Sequence, residues 1–183
     1  MTSVVYNMHE FLVLSYPELG FIINRDQIFA SVFLEESQEM ESDTRYLTAQ
    51  MQFNEHTLPV FDLEHYIKEV FDCQNESLLN VALIVDRTIF NTDNQETYAD
   101  TIIKQYSHFS EQYLALKVNV NAVIKGIALS EVRLIPIGIR EVLQGQGILG
   151  CRFPEAGLIH YWLDFETIII NCVSGKAIGL NKD

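Results

Sequence analysis

The chain has 183 residues, of which 48% are hydrophobic and 20% are charged, a balance that supports a folded core and excludes compositional disorder. Its formal net charge of -13 repels phosphate backbones and anionic lipid surfaces. Nucleic-acid binding and membrane insertion are therefore disfavoured, while protein partners remain open.

Three features of the sequence predict a cytoplasmic protein. The cysteines at positions 73, 151 and 172 are widely spaced and odd in number, which predicts free, mostly buried thiols rather than disulfides or a zinc site. The opening residues, MTSVVYNMHEF, contain no basic region and are interrupted by polar residues, so they do not form a signal peptide. No apolar run reaches the length of a membrane span.

The first part of the chain is predicted to form strands. An apolar run, EFLVLSY, ends at the turn-forming PELG, and FIINRDQIF follows at once. This order predicts a hairpin followed by a helical turn or another strand. After SVFLEE, residues 36–45 are polar and acidic and predict a solvated loop rather than a short helix.

The next segment predicts two strands and a helix. Residues of one parity are apolar, as expected of a strand with one wet face: Leu47, Ala49, Met51 and Phe53. The turn NEHT leads into LPVFDL, where Pro59 cannot donate to a ladder and predicts an edge, a bulge or a strand start. Asp62 can then cap a helix that begins at Leu63, because its carboxylate accepts hydrogen bonds from the first-turn amides.

The rest of the chain alternates strands and turns. LLNVALIVD predicts a buried strand, and residues 91–111 predict a polar loop that leads to a helix. QYLALKVNVNAVIKGIALSEV predicts two strands joined near residues 119–121. GILGCRFPEAGLIHYWLDFETIII predicts a strand, a turn at PEAG, a second strand and a helical ending.

Two strand endings match each other. LPVF runs into Asp62-Leu63-Glu64, and LIHYWL runs into Asp164-Phe165-Glu166, each with an isoleucine five positions after the aspartate. Chance could produce this match, and two similar β units would also explain it. Short strands, few long helices and the repeated ending favour paired barrels or a sandwich.

Four segments together resemble the CheW-like adaptor domains of bacterial chemotaxis. They are FLVLSYPELGFIINRDQIFAS, MQFNEHTLPVFDL, NAVIKGIALSEVRLIPI and GILGCRFPEAGLIHYWLDFETII. The resemblance implies a mainly β fold of two packed five-stranded β-barrels with a few short helices. Residues 1–183 would form one such domain of two barrel subdomains, with an insertion at about 78–110.

The resemblance also implies a binding surface and a departure from the family. The family carries Asn-Leu-Arg-Gly before the LPVFDL strand, where this chain has Gln52, Phe53, Asn54 and Glu55. A neutral amide beside a carboxylate replaces the arginine, which predicts altered partner contacts. Asn54 tolerates the left-handed turn conformation, so the hairpin itself is expected to form. The implied partner-binding residues are Gln52, Asn54, Glu55, Leu58 and Asp62.

The sequence offers little support for catalysis. His65 and Glu69 lie one helical turn apart and could hold a metal, but a third ligand is lacking. His56 beside Glu55 could be a local acid–base pair, although a histidine in a turn is commonly only a surface residue. GQGILG lacks the spacing of a nucleotide-binding loop. Trp162, in an alternating strand, predicts a half-buried core position. We expect no catalytic residues, no metal and no cofactor.

The function implied by the resemblance is a non-catalytic adaptor. It would couple the cytoplasmic domain of a chemoreceptor to the regulatory domain of a histidine kinase, through the hairpin around residues 54–55 and the groove between the barrels. Two alternatives remain open: a structural CheW-like paralogue within a signalling array, and a β-barrel that binds a small molecule near Glu55 and His56.

Overall fold

The computed structural model describes residues 8–34, 37–72, 80–119, 122–154 and 157–174. Cys73, predicted to be a free thiol, lies outside the described residues. Cys151 and Cys172 are both free; the first is half-buried and the second is buried, as the sequence predicts. Among the described residues, no helix is both long enough and apolar enough to cross a membrane.

The described residues form two sheets joined by four α-helices and a few shorter helical turns. The strands are β1 Met8–Ser15, β2 Leu19–Asn24, β3 Ala30–Phe33, β4 Gln38–Glu39, β5 Leu47–Phe53, β6 His56–Asp62, β7 Val81–Asp86, β8 Tyr113–Val118, β9 Ala122–Ala128, β10 Val132–Leu134, β11 Ile148–Arg152 and β12 Ile159–Leu163. The α-helices are α1 Leu63–Phe71, α2 Thr92–Tyr98, α3 Ile137–Gly145 and α4 Phe165–Ser174. Single turns of 3-10 helix span Arg25–Gln27, Arg87–Ile89 and Leu129–Glu131, and a π-helix spans Ala99–Ile103.

Each sheet has six strands, one more than the resemblance implies. Sheet I has the order β10-β11-β12-β2-β1-β9, and sheet II has the order β3-β7-β8-β6-β5-β4. The mainly β fold with two sheets and a few short helices is confirmed. The shortest strands are both edge strands, β4 with two residues and β10 with three. Within the described chain, the pairings leave both sheets open at their edges.

The two sheets have the same internal plan. When sheet II is listed from β4 to β3, the successive pairings in both sheets are antiparallel, antiparallel, parallel, antiparallel and antiparallel. Both carry a register shift at the same place, between Leu47 and Ala49 in β5 and between Ile148 and Gly150 in β11. The structure therefore supports two similar β units over a chance match of their endings.

The repeated strand endings form equivalent strand–helix junctions. Asp62 caps α1 by accepting a hydrogen bond from the His65 amide at 2.9 Å. Asp164 precedes α4 and accepts from the Glu166 amide at 3.2 Å and from the Thr167 hydroxyl at 2.8 Å. The apolar residue after each aspartate is completely buried. Each junction thus turns a strand into a helix that packs against the core.

The largest apolar core lies between the two sheets. It joins sheet I residues such as Phe21 with sheet II residues such as Phe61 and Leu116, and it includes the buried faces of α1 and α4. Two smaller clusters fill the opposite face of each sheet, one around Leu58 and Ile84 and one around Phe11. Each sheet is consequently apolar on both faces over its central strands.

Pro59 lies in an interior strand rather than at a sheet edge. β6 pairs with β5 on one side and with β8 on the other, and the parallel pairing with β8 begins at Val60. Pro59 therefore precedes the first paired residue on the β8 side, where a missing N–H removes no ladder hydrogen bond. Pro59 is nevertheless the fourth residue of β6, so the predicted edge, bulge or strand start is wrong.

The polar segments contain more regular structure than the sequence predicts. Residues 38–39, within the predicted acidic loop, form β4 and pair with β5. α2 begins at Thr92, where a loop is predicted, because the Asn91 side chain accepts a hydrogen bond from the Asn94 amide at 3.0 Å. Helices and strands this short and polar lack the apolar periodicity on which sequence prediction relies.

The segment at about 78–110 supplies part of the sheet II core. Its strand β7 is predicted correctly and lies between β3 and β8, with four buried residues at its centre. The helical turns that follow bury Tyr98 and Ile102. Whether the segment is an insertion relative to the family stays a prediction.

Removing a junction cap should destabilise the fold. We expect Asp62→Ala and Asp164→Ala each to lower the free energy of unfolding by about 1 kcal/mol, because first-turn amides lose their acceptor. The matched change Asp100→Ala removes only an exposed pair with Lys104 and should cost less than about 0.5 kcal/mol. Urea denaturation measures all three. Equal losses at the three positions would show that the two caps contribute no more to the free energy of unfolding than an exposed ion pair does.

Candidate interaction site at the tip of the β5–β6 hairpin

The hairpin between β5 and β6 ends in a tight two-residue turn. Asn54 has a backbone φ of 54°, in the left-handed region, as the sequence predicts for this amide residue. Glu55 completes the turn and is exposed. Below the turn, the Gln52 amide donates a hydrogen bond to the Thr57 hydroxyl at 2.8 Å, which links the two strands on their solvent side.

The structure brings three of the five predicted binding residues together. Gln52, Asn54 and Glu55 are all exposed at the tip. Leu58 is completely buried in the sheet II core, so its side chain supports the hairpin rather than presenting a surface. Asp62 lies at the far end of β6, about 20 Å from the tip at 3.3 Å per residue. Its carboxylate caps α1 and lies 3.9 Å from the Lys117 amine.

A cluster of aromatic rings surrounds the base of the turn. Tyr113 on β8 lies at its centre, with ring centroids 5.1 Å from Phe29, 6.4 Å from Phe53 and 5.7 Å from His56. Phe29 and Phe53 are 6.3 Å apart with perpendicular rings. Phe29 is 51% exposed, and the nearby Phe33 on β3 is 70% exposed. We call these five aromatic residues, with the turn at 54–55, the hairpin tip.

Sequence analysis alone missed the aromatic part of this site. Phe29 precedes the edge strand β3 and Phe33 is its last residue; alternation marks the two faces of a strand but does not show which one is solvated. Tyr113 begins a strand that the sequence predicts, and only the sheet order places it beside the hairpin. The sequence signal available for this site was the pair Phe29 and Phe33 just before the acidic segment at 36–45.

A shallow open cleft adjoins the hairpin tip. It has a volume of about 310 Å³ and is lined by residues of β3 and β5 together with the turn: Val32, Phe33, Leu34, Met51, Gln52, Phe53 and Asn54. Exposed aromatic residues with a polar rim are typical of protein–protein interfaces, where rings contribute contact area at low entropic cost. The arrangement suits a protein surface better than an enclosed ligand.

Helix α1 carries a polar cluster around His65 and Glu69, the two residues that the sequence analysis considered as metal ligands. The His65 ring lies 2.9 Å from the Glu69 carboxylate, which also accepts hydrogen bonds from the Tyr46 hydroxyl and from Arg45. Burial opposes ionisation of Glu69, but the Tyr46, His65 and Arg45 contacts hold its pKa below the ordinary value. The cluster is a structural ion-pair network. Over the described residues, no three histidine, cysteine or acidic side chains are placed to hold a metal.

Glu64, in the first turn of α1, lies in an environment that disfavours the charged form of its carboxyl group. Burial raises its pKa, although the Tyr16 hydroxyl donates to it at 2.7 Å and the Asn119 amide at 3.4 Å. Tyr16 directly follows β1 of sheet I, and Asn119 directly follows β8, where the chain leaves sheet II for sheet I. The contacts give Glu64 a structural role between the two sheets.

The remaining candidate groups lie apart from the hairpin tip. Trp162 is half-buried and meets Phe11 edge-to-face at 6.0 Å, within the smaller core of sheet I, as the sequence predicts. Among the contacts described, Glu55 and His56 share no hydrogen bond, and the His56 ring packs against Tyr113 instead. The described structure does not join Glu55 and His56 into an acid–base pair.

Comparison with known proteins supports the fold at low sequence identity. No protein-family model matches the sequence, and no curated protein sequence matches it. The scaffolding protein TtCheW from Thermoanaerobacter tengcongensis matches in structure with a TM-score of 0.58 and 11% sequence identity. The match covers 90% of this chain and 89% of that protein. The chain therefore has a CheW-like fold.

Substitution of the turn asparagine should separate backbone strain from side-chain contacts. Asn54→Ala should lower the free energy of unfolding by about 1 kcal/mol, because a residue with a β-carbon is disfavoured in the left-handed region. Asn54→Gly should match the wild type or exceed it slightly. Urea denaturation of both variants provides the measurement. A loss with glycine as large as with alanine would mean that the amide side chain, not the φ angle, stabilises the turn.

The contribution of the Glu69 network should depend on pH. The native pKa of Glu69 lies below its ordinary value, so its stabilising effect is present above that value and is lost as the pH falls through the native pKa. Glu69→Gln should thus lower the free energy of unfolding at pH 7 by about 1 kcal/mol, and the difference should shrink as the pH falls from 7 to and through the lowered native pKa. Urea denaturation across this range tests the prediction. A difference that stays constant with pH would contradict an ionic role.

Proposed function

We propose that this protein is a non-catalytic adaptor that couples the cytoplasmic domain of a chemoreceptor to the regulatory domain of a histidine kinase. The observation that carries the proposal is the two-sheet CheW-like fold, shared over 90% of the chain with a scaffolding protein. Because a fold does not fix function, the proposal also needs a suitable surface. The hairpin tip supplies one.

The hairpin tip has the composition of a protein-binding surface. Half-exposed rings provide apolar contact area, and the turn places Glu55 and an amide at the rim. The tip is held by the two ladders of β6, so it is presented on a rigid support. In a chain of net charge -13, an exposed carboxylate here favours a partner with a basic surface.

The paralogue alternative shares this fold and differs only in its partners. It rests on the replacement of the family's turn arginine by Asn54, which removes a cation from the predicted contact surface. The small-molecule alternative gains less support. Three of the clefts in the described structure are open grooves lined largely by polar side chains rather than enclosed cavities.

Direct binding tests the adaptor proposal. The purified protein is titrated by calorimetry with a receptor cytoplasmic tip and, separately, with a kinase regulatory domain. We expect dissociation constants on the order of micromolar for both, as is typical of small transient interfaces. Glu55→Arg should change the affinity for at least one partner about tenfold, because it reverses a rim charge. Glu96→Arg, the same charge reversal on an exposed face of α2, is the matched control and should leave both affinities unchanged.

The outcomes distinguish the alternatives. Binding of neither partner would overturn the adaptor function. Binding of the receptor tip alone would favour an array paralogue that does not engage the kinase. An equal effect of Glu55→Arg and Glu96→Arg would remove the hairpin tip from the interface while leaving the adaptor proposal intact.

A further inference from the structure

Sheet II is open between β3 and β5. In the described chain, β3 pairs with β7 alone, and residues 51–53 of β5 pair with β6 alone, because the short strand β4 pairs only with Ala49 and Gln50. The cleft of about 310 Å³ beside the hairpin tip lies between these two strand edges and is lined by both strands. We call this space the β3–β5 cleft.

The open edge of β3 presents main-chain groups that the β7 ladder does not use. Leu34, which continues the register of β3, donates its N–H to the Asn80 carbonyl directly opposite at 3.0 Å. Because main-chain N–H and C=O groups alternate in direction along a strand, those of Ser31 and Phe33 point away from β7. Both residues are exposed.

The opposite edge of the cleft presents the main chain of Gln52. Phe53 and His56 flank the two-residue turn and form the hydrogen-bonded pair that closes such a hairpin. By alternation, Gln52 and Thr57 then form a pair whose main-chain groups point away from each other. Pro59, which has no N–H to donate, lies in the next pair of the same class and fits this pattern. The Gln52 side chain is engaged with Thr57, so this residue offers its backbone to the cleft.

These main-chain groups determine which class of occupant fits the cleft. An α-helix satisfies its own N–H and C=O groups and is about 10 Å across, so it offers no hydrogen bonds to these edges. A single extended chain presents N–H and C=O groups along both of its sides, as a strand between two others does. Its inner side chains would meet the half-buried Val32 and the buried Met51, and its outer side chains the exposed Phe33.

The equivalent gap in sheet I is bridged by the chain itself. β9 and β11 hold the places in sheet I that β3 and β5 hold in sheet II. Glu131 accepts a hydrogen bond from the Ala128 amide at the end of β9 at 3.2 Å, and it pairs with Arg152 at the end of β11 at 2.6 Å. Among the residues that the structure describes, no hydrogen bond joins β3 to β5. The open gap is therefore particular to sheet II.

The charge around the cleft favours a basic segment. The stretches that contain its walls, residues 28–44 and 46–55, have six acidic residues and no lysine or arginine. Arg45, which lies between them, is paired with Glu69 on α1. Lysine or arginine near the ends of an incoming segment would therefore be attracted, and acidic residues there would be repelled.

We propose that the β3–β5 cleft takes up an extended, basic segment of a partner protein as an additional strand. The segment pairs with the main chain of Ser31 and Phe33 on one side and of Gln52 on the other, and it alternates apolar with polar side chains. The inference rests on the proposed function in one respect, that the hairpin tip binds protein. It does not depend on the partner being a chemoreceptor or a histidine kinase.

Short labelled peptides test the pairing on both sides with the full chain. The parent peptide alternates valine with threonine between terminal lysines. One derivative is N-methylated at every valine and another at every threonine, so each lacks the N–H groups along one side. A further derivative has glutamate at both ends. By fluorescence anisotropy, we expect each methylated peptide to bind at least about tenfold more weakly than the parent. The glutamate peptide should also bind more weakly, by a factor that shrinks as salt increases.

Variants of the chain locate the binding. Ser31→Pro and Gln52→Pro each remove an N–H that faces the cleft without removing a ladder hydrogen bond, and each should weaken binding of the parent peptide about tenfold. Ser31→Ala and Gln52→Ala keep the N–H and are the matched controls, which should stay within about twofold of the wild type. Circular dichroism checks that each variant is folded. The methylated peptides test the same pairing on the wild-type chain, so a proline variant that unfolds does not remove the test.

Four results would overturn the proposal. A methylated peptide that binds as tightly as the parent would show that one side of the segment is unpaired. Equal losses from proline and alanine at both positions would assign the binding to side chains. Self-association of the wild-type chain that Ser31→Pro abolishes would show that a second copy occupies the cleft. Failure of every peptide to bind would reject the added strand, while the receptor and kinase titrations would still decide the adaptor function separately.

Discussion

The repeated strand–helix junction is the constraint on which the rest of this structure depends. At each junction an aspartate accepts hydrogen bonds from first-turn groups, and the next residue, Leu63 or Phe165, is completely buried. The glutamate that follows then reaches the other half of the molecule. Glu64 accepts from Tyr16 at the end of β1, and Glu166 accepts from the Asn91 amide at 2.8 Å and the Asn94 side chain at 2.7 Å. One short sequence pattern therefore starts a helix, anchors it in the core and ties the two sheets together.

The order of the strands along the chain makes these ties necessary. Sheet II is built from consecutive strands, β3 to β8, whereas sheet I combines β1 and β2 from the start of the chain with β9 to β12 from its end. β8 and β9 follow each other in sequence but lie in different sheets. The parallel pairing of β12 with β2 joins residues about 140 positions apart, as in Ile159 with Leu19. Such non-local pairing carries a large loop-closure cost, which the shared core between the sheets must offset.

The hairpin tip and helix α3 are supported by different parts of the fold. The hairpin tip presents aromatic rings with an exposed carboxylate, and it stands on a ladder-bonded strand in sheet II. Helix α3 leaves aliphatic side chains exposed, and hydrogen bonds from Tyr66 and Asn171 hold its C-terminal end.

The sequence by itself determined the elements whose signal is local. The strand periodicity of β5, the helix cap at Asp62, the left-handed turn at Asn54 and the repeated junction can all be predicted, because each depends on residues within a few positions of one another. Only the tertiary structure decided what the neighbours of these elements would be. It buried Leu58, placed Pro59 in an interior strand, grouped Tyr113 with Phe29 and left the apolar residues of α3 in solvent. Alternation and helical spacing define the faces of an element, but burial depends on which distant strand or helix covers each face, and that information lies in long-range pairing.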